Sequence, residues 1–183
     1  MSAIDSRMAF VTERLHVRAL VADDEKLYCD LYTDPRLMRH IGPVLDGPKV
    51  RRSFQAAVAA AARRPPRHIY FGLLKGSDGD SVGVCALRDI DAEQRSAEIG
   101  LMIRREAHAT GLAREGLDAV AAWAFSALRL ERIYGRADPA NRAACRVARR
   151  AGFSLVGSHV GGTTPSAHLF VRHRSVPVPS TNH

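Results

Sequence analysis

The residues best suited to chemistry lie in a short turn, His108–Ala113 (HATGLA), between a strand-like run and a long apolar-faced helix. A turn that opens a helix leaves several backbone N–H groups without intrahelical partners, all pointing the same way. Gly111 has no side chain, so a ligand can approach the backbone closely. Together with the positive end of the helix dipole, these donors predict a phosphate-binding site. The turn also fits an ordinary strand-to-helix connection that needs a small residue.

The periodicity of apolar residues indicates which elements position this turn. Strands are predicted over Phe10–Leu20, His68–Leu74, Ser81–Asp89, Ser96–Arg104, Arg132–Ala137, Phe153–Val160 and Ala167–Arg174. Helices are predicted from an Asp23-Asp24 cap to about Tyr32, and over Pro35–His40, Val50–Arg63, Gly111–Leu128 and Asn141–Arg150. The links Gly76–Gly79 and Ile90–Arg95 have hairpin length, so the three middle strands are expected to form an antiparallel meander.

The composition bounds the classes of protein that fit. The 183 residues suffice for one domain, and 46% hydrophobic with 25% charged residues is typical of a globular chain with a buried core. No apolar run approaches the roughly 20 residues of a membrane span. The N-terminus lacks the apolar core of a signal peptide. Three widely spaced cysteines form neither a metal motif nor a disulfide framework, which favours the cytoplasm.

The net charge of +8 leaves two interpretations open. It fits a polyanionic ligand or an acidic macromolecular substrate, and it equally fits an arginine-rich coding bias in the source. Nucleic-acid binding is a third interpretation. It is the weakest of the three, because aromatic residues make up only 6% of the chain and no basic–aromatic stacking pattern is present.

Three segments, in the same order along the chain, resemble the GNAT family of N-acetyltransferases. The turn His108–Ala113 is similar to that family's pyrophosphate loop, whose pattern is Gln/Arg-x-x-Gly-x-Gly/Ala. Asn141 followed by Ala151–Phe153 (AGF) resembles the family's Asn…(Lys/Arg)-x-Gly-Phe segment. Thr12–Arg18 (TERLHVR) resembles the subgroup that acetylates protein N-termini and small amines, the ribosomal-protein (RimJ/RimL) type. The resemblance spans roughly Phe10–Arg174.

The resemblance implies an α+β (mixed α/β) chain with the GNAT acyl-CoA N-acyltransferase fold. That fold has a mostly antiparallel central sheet with helices on both faces, in the order β-α-α-β-β-β-α-β-α-β-β. We expect a single domain over residues 1–175 that ends in a hairpin around Gly161-Gly162. Residues 176–183 carry two prolines and no periodicity, so they are expected to form a loose tail.

The resemblance also implies where acetyl-CoA binds. Backbone amides of the turn hold the pyrophosphate, although His108 stands where Gln or Arg is usual. The strand end Leu101–Ile103 pairs its backbone with the pantetheine arm and points one N–H at the thioester carbonyl. Asn141 contacts the pantetheine, caps the next helix, or does both. The implied set is Leu101, Met102, Ile103, Ala109, Thr110, Gly111, Leu112, Ala113, Arg114 and Asn141. Arg142 and Arg146 either reach the 3′-phosphate or form a solvated basic face.

Candidates for acid–base chemistry are sparse. An attacking amine must lose a proton, and Glu98 is the candidate base because it lies on the strand that leads to the thioester. A salt-bridged structural carboxylate is the alternative interpretation of Glu98. The usual serine and tyrosine acids are replaced by Ala144 and Ala148. The thiolate then leaves with solvent help, or its proton comes from Tyr134 or His159.

The sequence therefore predicts an acetyl-CoA-dependent N-acetyltransferase in which an amine attacks the bound thioester directly. The acceptor is a protein N-terminal α-amine or a small-molecule amine, in a groove lined by Lys26–Arg63, Glu98 and the last hairpin. One alternative is a CoA-binding module without acetyl transfer, because both acid positions are alanine. The other is a nucleic-acid-binding protein. We expect no metal, no membrane partner, and a monomer or homodimer.

Overall fold

The computed structural model describes residues 8–63, 65–76, 79–159 and 167–175, with the backbone alone at His159. At its centre is one eight-stranded sheet. The strands are β1 (Phe10–Val11), β2 (Leu15–Ala19), β3 (Ile69–Lys75), β4 (Ser81–Asp91), β5 (Ser96–Ile103), β6 (Arg132–Ala137), β7 (Ser154–His159) and β8 (Ala167–His173). Their order across the sheet is β1-β2-β3-β4-β5-β6-β8-β7. All neighbours are antiparallel except β5 and β6, so the predicted mostly antiparallel sheet is confirmed.

Helices cover both faces of this sheet, as predicted. They are α1 (Glu25–Thr33), α2 (Pro35–Met38), α3 (Gly47–Ala60), α4 (Leu112–Ala127) and α5 (Arg142–Arg150). Successive side chains of a strand point to opposite faces. Val84 and Met102 accordingly pack with buried residues of α1, α2 and α3, whereas Cys85 and Ile99 pack with those of α4 and α5. We call these two sides the α1–α3 face and the α4–α5 face.

The predicted apolar face of α4 fixes this helix against the sheet. Leu117, Val120 and Ala124 are all buried. Burial of a large aliphatic side chain stabilises a fold by about 1.5–3 kcal/mol. Gly116 allows a close approach, because a Cβ there would lie 2.9 Å from Leu73 Cδ1. The N-terminus of α4 is thereby held near the end of β5.

The predicted opening strand was wrong, because Phe10–Leu20 is a hairpin rather than one strand. The polar residues Thr12–Arg14 form a turn, and β1 folds back on β2 so that Phe10 pairs with Val17. This turn brings Arg14 close to α4, which a continuous strand would not do.

Two predicted details of the first helices were also wrong. The helix expected from Val50 begins at Gly47, because Asp46 caps it by accepting a hydrogen bond from Lys49 N–H at 2.8 Å. Asp24 does not use its side chain to cap α1. Its buried carboxylate accepts the Val21 N–H at 2.9 Å, at the start of the 3₁₀ turn that precedes α1, and two hydrogen bonds from Arg18, at 2.6 and 3.0 Å.

The strands β5 and β6 pair only where they begin. Ser96–Glu98 are in register with Arg132–Tyr134. Beyond that point no ladder joins the described residues of the two strands, although β5 continues to Ile103 and β6 to Ala137. The result is a wedge-shaped gap in the sheet, bounded by residues 99–103 of β5 and residues 135–137 of β6. We call this gap the fork.

Some sequence predictions fall outside the described residues. They are the tail over residues 176–183 and the glycines Gly161 and Gly162 of the last hairpin. The domain boundary at residue 175 therefore stays a prediction. In the part of the chain that the structure describes, no helix is long and apolar enough to cross a membrane.

Candidate active site

The β5 side of the fork turns alternate backbone groups towards the gap. Arg104 N–H donates to Val82 O at 2.8 Å, and hydrogen-bonded pairs alternate along an antiparallel ladder. By this alternation Met102 exchanges its backbone bonds with β4. The N–H groups of Leu101 and Ile103 point the other way, into the fork. Of the three predicted pantetheine contacts, two therefore have suitably oriented amides.

Two further observations agree with this orientation. A Cβ on Gly135 of β6 would lie 3.0 Å from Ile99 O, so that carbonyl also points across the fork. The side chains follow the same alternation, because Ile103 packs on the α4–α5 face and Met102 on the α1–α3 face. The free edge of β5 can thus accept an extended ligand much as it would accept another strand.

The predicted turn stands at the open end of the fork. Ala109 and Gly111 have left-handed backbone angles, with φ of 62° and 88°. The first backbone bond of α4 runs from Glu115 N–H to Gly111 O at 3.1 Å. The amides of Leu112–Arg114 precede this ladder, as the first N–H groups of a helix do. The donors expected for a diphosphate are present, and their contact with one stays a prediction.

His108 and Thr110 fasten the turn to the preceding chain. His108 Nε2 lies 3.0 Å from Ile103 O, and Thr110 Oγ1 donates to Ala107 O at 2.7 Å. The residue that replaces the family's Gln or Arg therefore has a structural contact at the end of β5. No local pattern in the sequence predicts this contact.

An ion pair from the other end of the chain braces the turn. Arg14 Nη1 donates to Thr110 O at 2.8 Å, and Arg14 Nε donates to Glu115 Oε2 at 2.7 Å. Arg14 Nη2 would lie 3.1 Å from a Cβ placed on Gly111. The guanidinium therefore stands beside the first turn of α4, where a phosphate is predicted. Sequence reasoning missed this contact, and its only sign was the polar break Thr12–Arg14 in an apolar strand.

Glu115 completes the brace as its anion. Oε1 accepts hydrogen bonds from the Arg14 backbone N–H, at 2.8 Å, and from the Thr12 hydroxyl. Burial by itself would raise the pKa of Glu115, but these hydrogen bonds and the Arg14 charge lower it below its usual value. The brace therefore favours the charged form of the Glu115 carboxylate.

Asn141 is the N-cap of α5, and its Oδ1 accepts a hydrogen bond from Ala144 N–H at 3.0 Å. The predicted capping role is confirmed, and contact with pantetheine stays a prediction. Arg142 and Arg146 are exposed on the same helix. Ala144 and Ala148 are half-buried and carry no ionisable group, so this helix offers no proton at the family's usual positions.

Glu98, the predicted base, lies where the fork begins and is held by two arginines. Its side chain is 8% exposed. Arg88 Nη2 donates to Oε1 at 3.1 Å, and Arg136 Nη1 donates to Oε2 at 3.0 Å. The alternation that places Met102 on the α1–α3 face places Glu98 there as well. A carboxylate offers about four lone-pair sites, so the two arginines do not exhaust its acceptors, and its role as base stays a prediction.

A histidine–aspartate pair lies beside the far end of β6. His40 Nδ1 is 2.6 Å from Asp138 Oδ2. A hydrogen bond from Ala140 N–H and, second to it, the bond with His40 lower the pKa of Asp138. Asp138 directly follows Ala137, the last residue of β6, so the pair lies on the β6 side of the fork at its open end.

Sequence reasoning missed the His40–Asp138 pair, because its members are 98 residues apart and belong to no common pattern. Since Asp138 engages Nδ1, proton transfer by His40 would use Nε2. This is the arrangement of a base and the carboxylate that orients it, as in many acid–base sites.

Tyrosines contribute further polar groups on the α1–α3 face. Tyr28 and Tyr32 stack with ring centroids 4.3 Å apart. Burial, and after it the neighbouring Tyr28, raises the pKa of Tyr32. Tyr134, a predicted acid, lies at the last position of β6 that pairs with β5, and the Arg136 guanidinium is 5.7 Å from its ring centroid. The side chain of His159, the other predicted acid, falls outside the described part.

A separate cavity of about 640 Å³ lies at the other end of α4. It is lined by Arg95, Ala122, Phe125, Ser126, Arg129, Arg172, Arg174 and Ser175. Phe125 is fourteen residues after Gly111, which a rise of 1.5 Å per residue makes roughly 20 Å. This cavity is therefore not part of the fork. Over the described ranges, no group of three or more His, Cys, Asp or Glu residues is arranged to hold a metal ion.

Comparison with known proteins assigns this architecture to a family. The family model for the acetyltransferase (GNAT) domain matches residues 14–154. The chain belongs to the GNAT acetyltransferase family. The predicted GNAT fold is confirmed, with the parallel pair β5–β6 and the fork between them at its centre.

Individual relatives agree with the family assignment. The uncharacterized N-acetyltransferase p20 of Bacillus licheniformis is 26% identical over 152 residues, which are 80% of this chain and 82% of that protein. The spermidine N-acetyltransferase of Vibrio cholerae, solved with CoA and spermine, has a TM-score of 0.75 at 19% identity, over 88% of this chain and 96% of the other. The ribosomal-protein-S5-alanine acetyltransferase of Vibrio fischeri has a TM-score of 0.75 at 18% identity, over 90% and 96%. Both solved structures share the fold of this chain.

The protein is accordingly an N-acetyltransferase that uses acetyl-CoA as its donor. The RimJ/RimL type stays a prediction, because the neighbour named for a ribosomal protein is 18% identical and shares the fold. The alternative of a CoA-binding module without transfer is not favoured.

Proposed function

We propose that an amine, either a protein N-terminal α-amine or a small-molecule amine, attacks acetyl-CoA directly within the fork. The observation that supports this proposal is the free edge of β5, which ends close to the first turn of α4. The amides of that turn precede the first backbone hydrogen bond of the helix. An extended pantetheine on that edge would have its diphosphate at the helix N-terminus. Its thioester would then lie between the two faces of the sheet, open to an acceptor from the α1–α3 face.

In this proposal the donor is bound mainly by backbone atoms. The Ile103 amide pairs with the pantetheine, the Leu101 amide faces the thioester carbonyl, and Met102 contributes its side chain to the α1–α3 face. The diphosphate is held by the turn and the first turn of α4. The proposed contacts there are Ala109, Thr110, Gly111, Leu112, Ala113 and Arg114, with the Asn141 amide on the pantetheine. The Arg14 guanidinium adds a positive charge beside the same turn.

The proposed reaction is a direct acyl transfer. The amine nitrogen attacks the thioester carbon, the C–N bond forms, and the carbonyl oxygen becomes an oxyanion that the Leu101 N–H stabilises. Collapse of this intermediate breaks the C–S bond and releases the CoA thiolate. Glu98 accepts the proton that the amine loses, directly or through a water molecule.

We assign the remaining proton transfer to His40. The thiolate needs a proton or a stabilising donor, and Ala144 and Ala148 provide none. His40 is held at the open end of the fork by Asp138, which fixes its ring through Nδ1. In this assignment a protonated His40 donates from Nε2 to the departing sulfur, and Asp138 is a positioning residue.

Release of free thiol from acetyl-CoA in the presence of an amine panel tests the proposed function. The panel contains peptides with free N-termini and small amines, and N-acetylated product is identified by mass spectrometry. We expect thiol release that requires both an amine and acetyl-CoA. Binding of CoA with no thiol release on any acceptor would contradict the proposal. It would favour a CoA-binding module without acetyl transfer. A cytoplasmic location and a monomeric or homodimeric state stay predictions.

A further inference from the structure

Two guanidinium groups are held side by side at the beginning of the fork, and this cluster bears on the choice of acceptor. We infer that Arg88 and Arg136 form a subsite for a carboxylate of the acceptor. The favoured substrate is then an amine with a carboxylate a few bonds away, such as an amino acid or a peptide with an acidic N-terminal residue. This inference rests on the proposed function.

The charge of the cluster supports an anionic ligand. Glu98 is buried, and one arginine would be enough to satisfy its charge, yet two arginines engage it. Two positive charges and one negative charge leave a local excess of one positive charge. Because like charges held close together repel, an incoming carboxylate would stabilise the arrangement.

The arginines also keep donors available for a ligand. Each guanidinium carries five N–H donors, and each uses one of them in its hydrogen bond to Glu98. The side chains of Arg88 and Arg136 are 47% and 58% exposed, whereas that of Glu98 is 8% exposed. Glu98 therefore orients the two guanidiniums from below, and their outer edges can bind a carboxylate through paired, charge-assisted hydrogen bonds.

The position of the cluster fits the distance between an acceptor's carboxylate and its amine. Arg88 Nη2 would lie 3.7 Å from a Cβ placed on Gly100. Gly100 is next to Leu101, whose N–H points at the proposed thioester. A carboxylate on Arg88 would thus be only a few bond lengths from the amine that attacks, and Arg136 stands on the opposite arm of the fork.

The same surroundings disfavour a polyamine as acceptor. Binding several ammonium groups requires unpaired carboxylates near the thioester. Glu98 on β5 is already paired with two arginines, and Asp138 just beyond β6 is paired with His40 and the Ala140 amide. The carboxylates of Glu98 and Asp138 are therefore already engaged, and the cluster itself presents two guanidinium groups to an acceptor.

Matched acceptors that differ in one charge test the inference. One pair is a peptide with N-terminal Asp and its N-terminal Asn twin, and the second pair is a free amino acid and its amide. Both members of a pair are measured on one enzyme sample, so the ratio of their kcat/KM values is independent of how much of a variant folds. Spermidine serves as a cationic acceptor.

For the wild type we expect the carboxylate member of at least one pair to be favoured by roughly ten- to a hundredfold. The two pairs also identify the source of the carboxylate, because a peptide and a free amino acid are tested separately. Arg88→Gln and Arg136→Gln should bring the ratio close to one, chiefly through acceptor KM. Arg88→Lys should keep part of the preference, because it keeps the charge. Arg67→Gln is the control, since Arg67 is an exposed arginine outside the fork.

Three results would contradict the inference. The first is a wild-type ratio near one in both pairs while acetyl transfer itself proceeds, which leaves the proposed function intact. The second is a ratio that falls as much in Arg67→Gln as in Arg88→Gln, since that would reflect net charge rather than a subsite. The third is absence of thiol release with every acceptor, which would overturn the proposed function and the inference with it.

Discussion

The two sides of the fork present different kinds of polar group, backbone amides on one side and side chains on the other. On the donor side, the groups expected to hold acetyl-CoA are backbone amides of Leu101, Ile103 and the first turn of α4. On the acceptor side, the polar groups are side chains, namely Arg88, Glu98, Arg136 and the His40–Asp138 pair. A backbone site depends on local conformation, so a short stretch of sequence can indicate it. A side-chain site depends on which distant residues the fold brings together.

This contrast makes the two sides separable by mutation. Changes on the donor side should act on acetyl-CoA, and changes on the acceptor side should act on the acceptor or on the chemical step.

The largest effect is expected for Glu98→Gln on the acceptor side. If Glu98 accepts the amine's proton, kcat should fall by about 10²–10⁴-fold. The affinity for acetyl-CoA should stay the same. Steady-state kinetics across pH and calorimetry with acetyl-CoA check both statements.

Glu93→Gln is the control for that variant, because Glu93 is exposed in the β4–β5 turn. A rise in acceptor KM at unchanged kcat would contradict the role of base and would leave Glu98 as a positioning residue for the arginines. Thermal unfolding of both variants separates loss of activity from loss of folded protein.

The next largest effect is expected for His40→Gln. Without this proton donor, kcat should fall by about 10²-fold, at the lower end for an acid–base residue. Asp138→Asn should lower kcat by a smaller factor, because this change removes only the group that orients the His40 ring. We compare kcat with acetyl-CoA and with an acyl donor whose leaving group needs no proton. The loss of kcat should vanish with the second donor.

His173→Gln is the control for this pair, since His173 is exposed at the end of β8. An equal defect with both donors would contradict the assignment of His40 to the leaving thiolate.

A smaller effect, confined to the donor side, is expected for Gly111→Val. A side chain at φ of 88° is strained, and a left-handed residue other than glycine costs about 1–2 kcal/mol. The added Cβ would also meet Arg14 Nη2 at 3.1 Å. We expect the KM for acetyl-CoA to rise roughly tenfold, with acceptor KM unchanged.

Gly42→Val is the matched control, because a Cβ on Gly42 has no neighbour within 4 Å and its φ is not left-handed. An unchanged acetyl-CoA KM in the Gly111 variant would mean that the turn does not hold the diphosphate.

The smallest effect concerns the brace between Arg14 and Glu115. The pKa of Glu115 is lowered in the fold, so its stabilising contribution is present above the unfolded value near ~4.3 and is lost as pH falls through the lower folded value. Glu115→Gln should cost at most about 1 kcal/mol of unfolding free energy at neutral pH, because the Arg14 side chain is 44% exposed. Denaturant unfolding from pH 7 to 3 should show this difference shrinking below about pH 4. A difference that stays constant over this range would contradict the ionic brace.

The comparison also explains what the sequence could and could not predict. The meander, the apolar face of α4 and the turn at Gly111 follow from periodicity and from local residue types, and they were predicted. The same holds for Asn141 as a cap, because capping is a contact within three residues. Glu98 was selected by its place on a strand, and its two arginine partners were not foreseen.

The missed contacts of Arg14 and His40 share one physical cause, which is that they join distant parts of the chain. Arg14 reaches α4 only because Phe10–Leu20 folds into a hairpin rather than a single strand. His40 meets Asp138 across 98 residues. No local pattern encodes such a pairing, and a side chain in a turn looks the same in the sequence whether it faces solvent or the fork.

Backbone amide hydrogen exchange with and without acetyl-CoA tests whether the coenzyme lies along the free edge of β5 and against the first turn of α4. The account predicts that the amides of Leu101 and Ile103 and those of Leu112–Arg114 gain protection when the coenzyme binds. The Met102 amide, already bonded to β4, should change little and serves as an internal reference. Protection that instead appears at the cavity near Phe125, with the fork and the turn unchanged, would contradict the account.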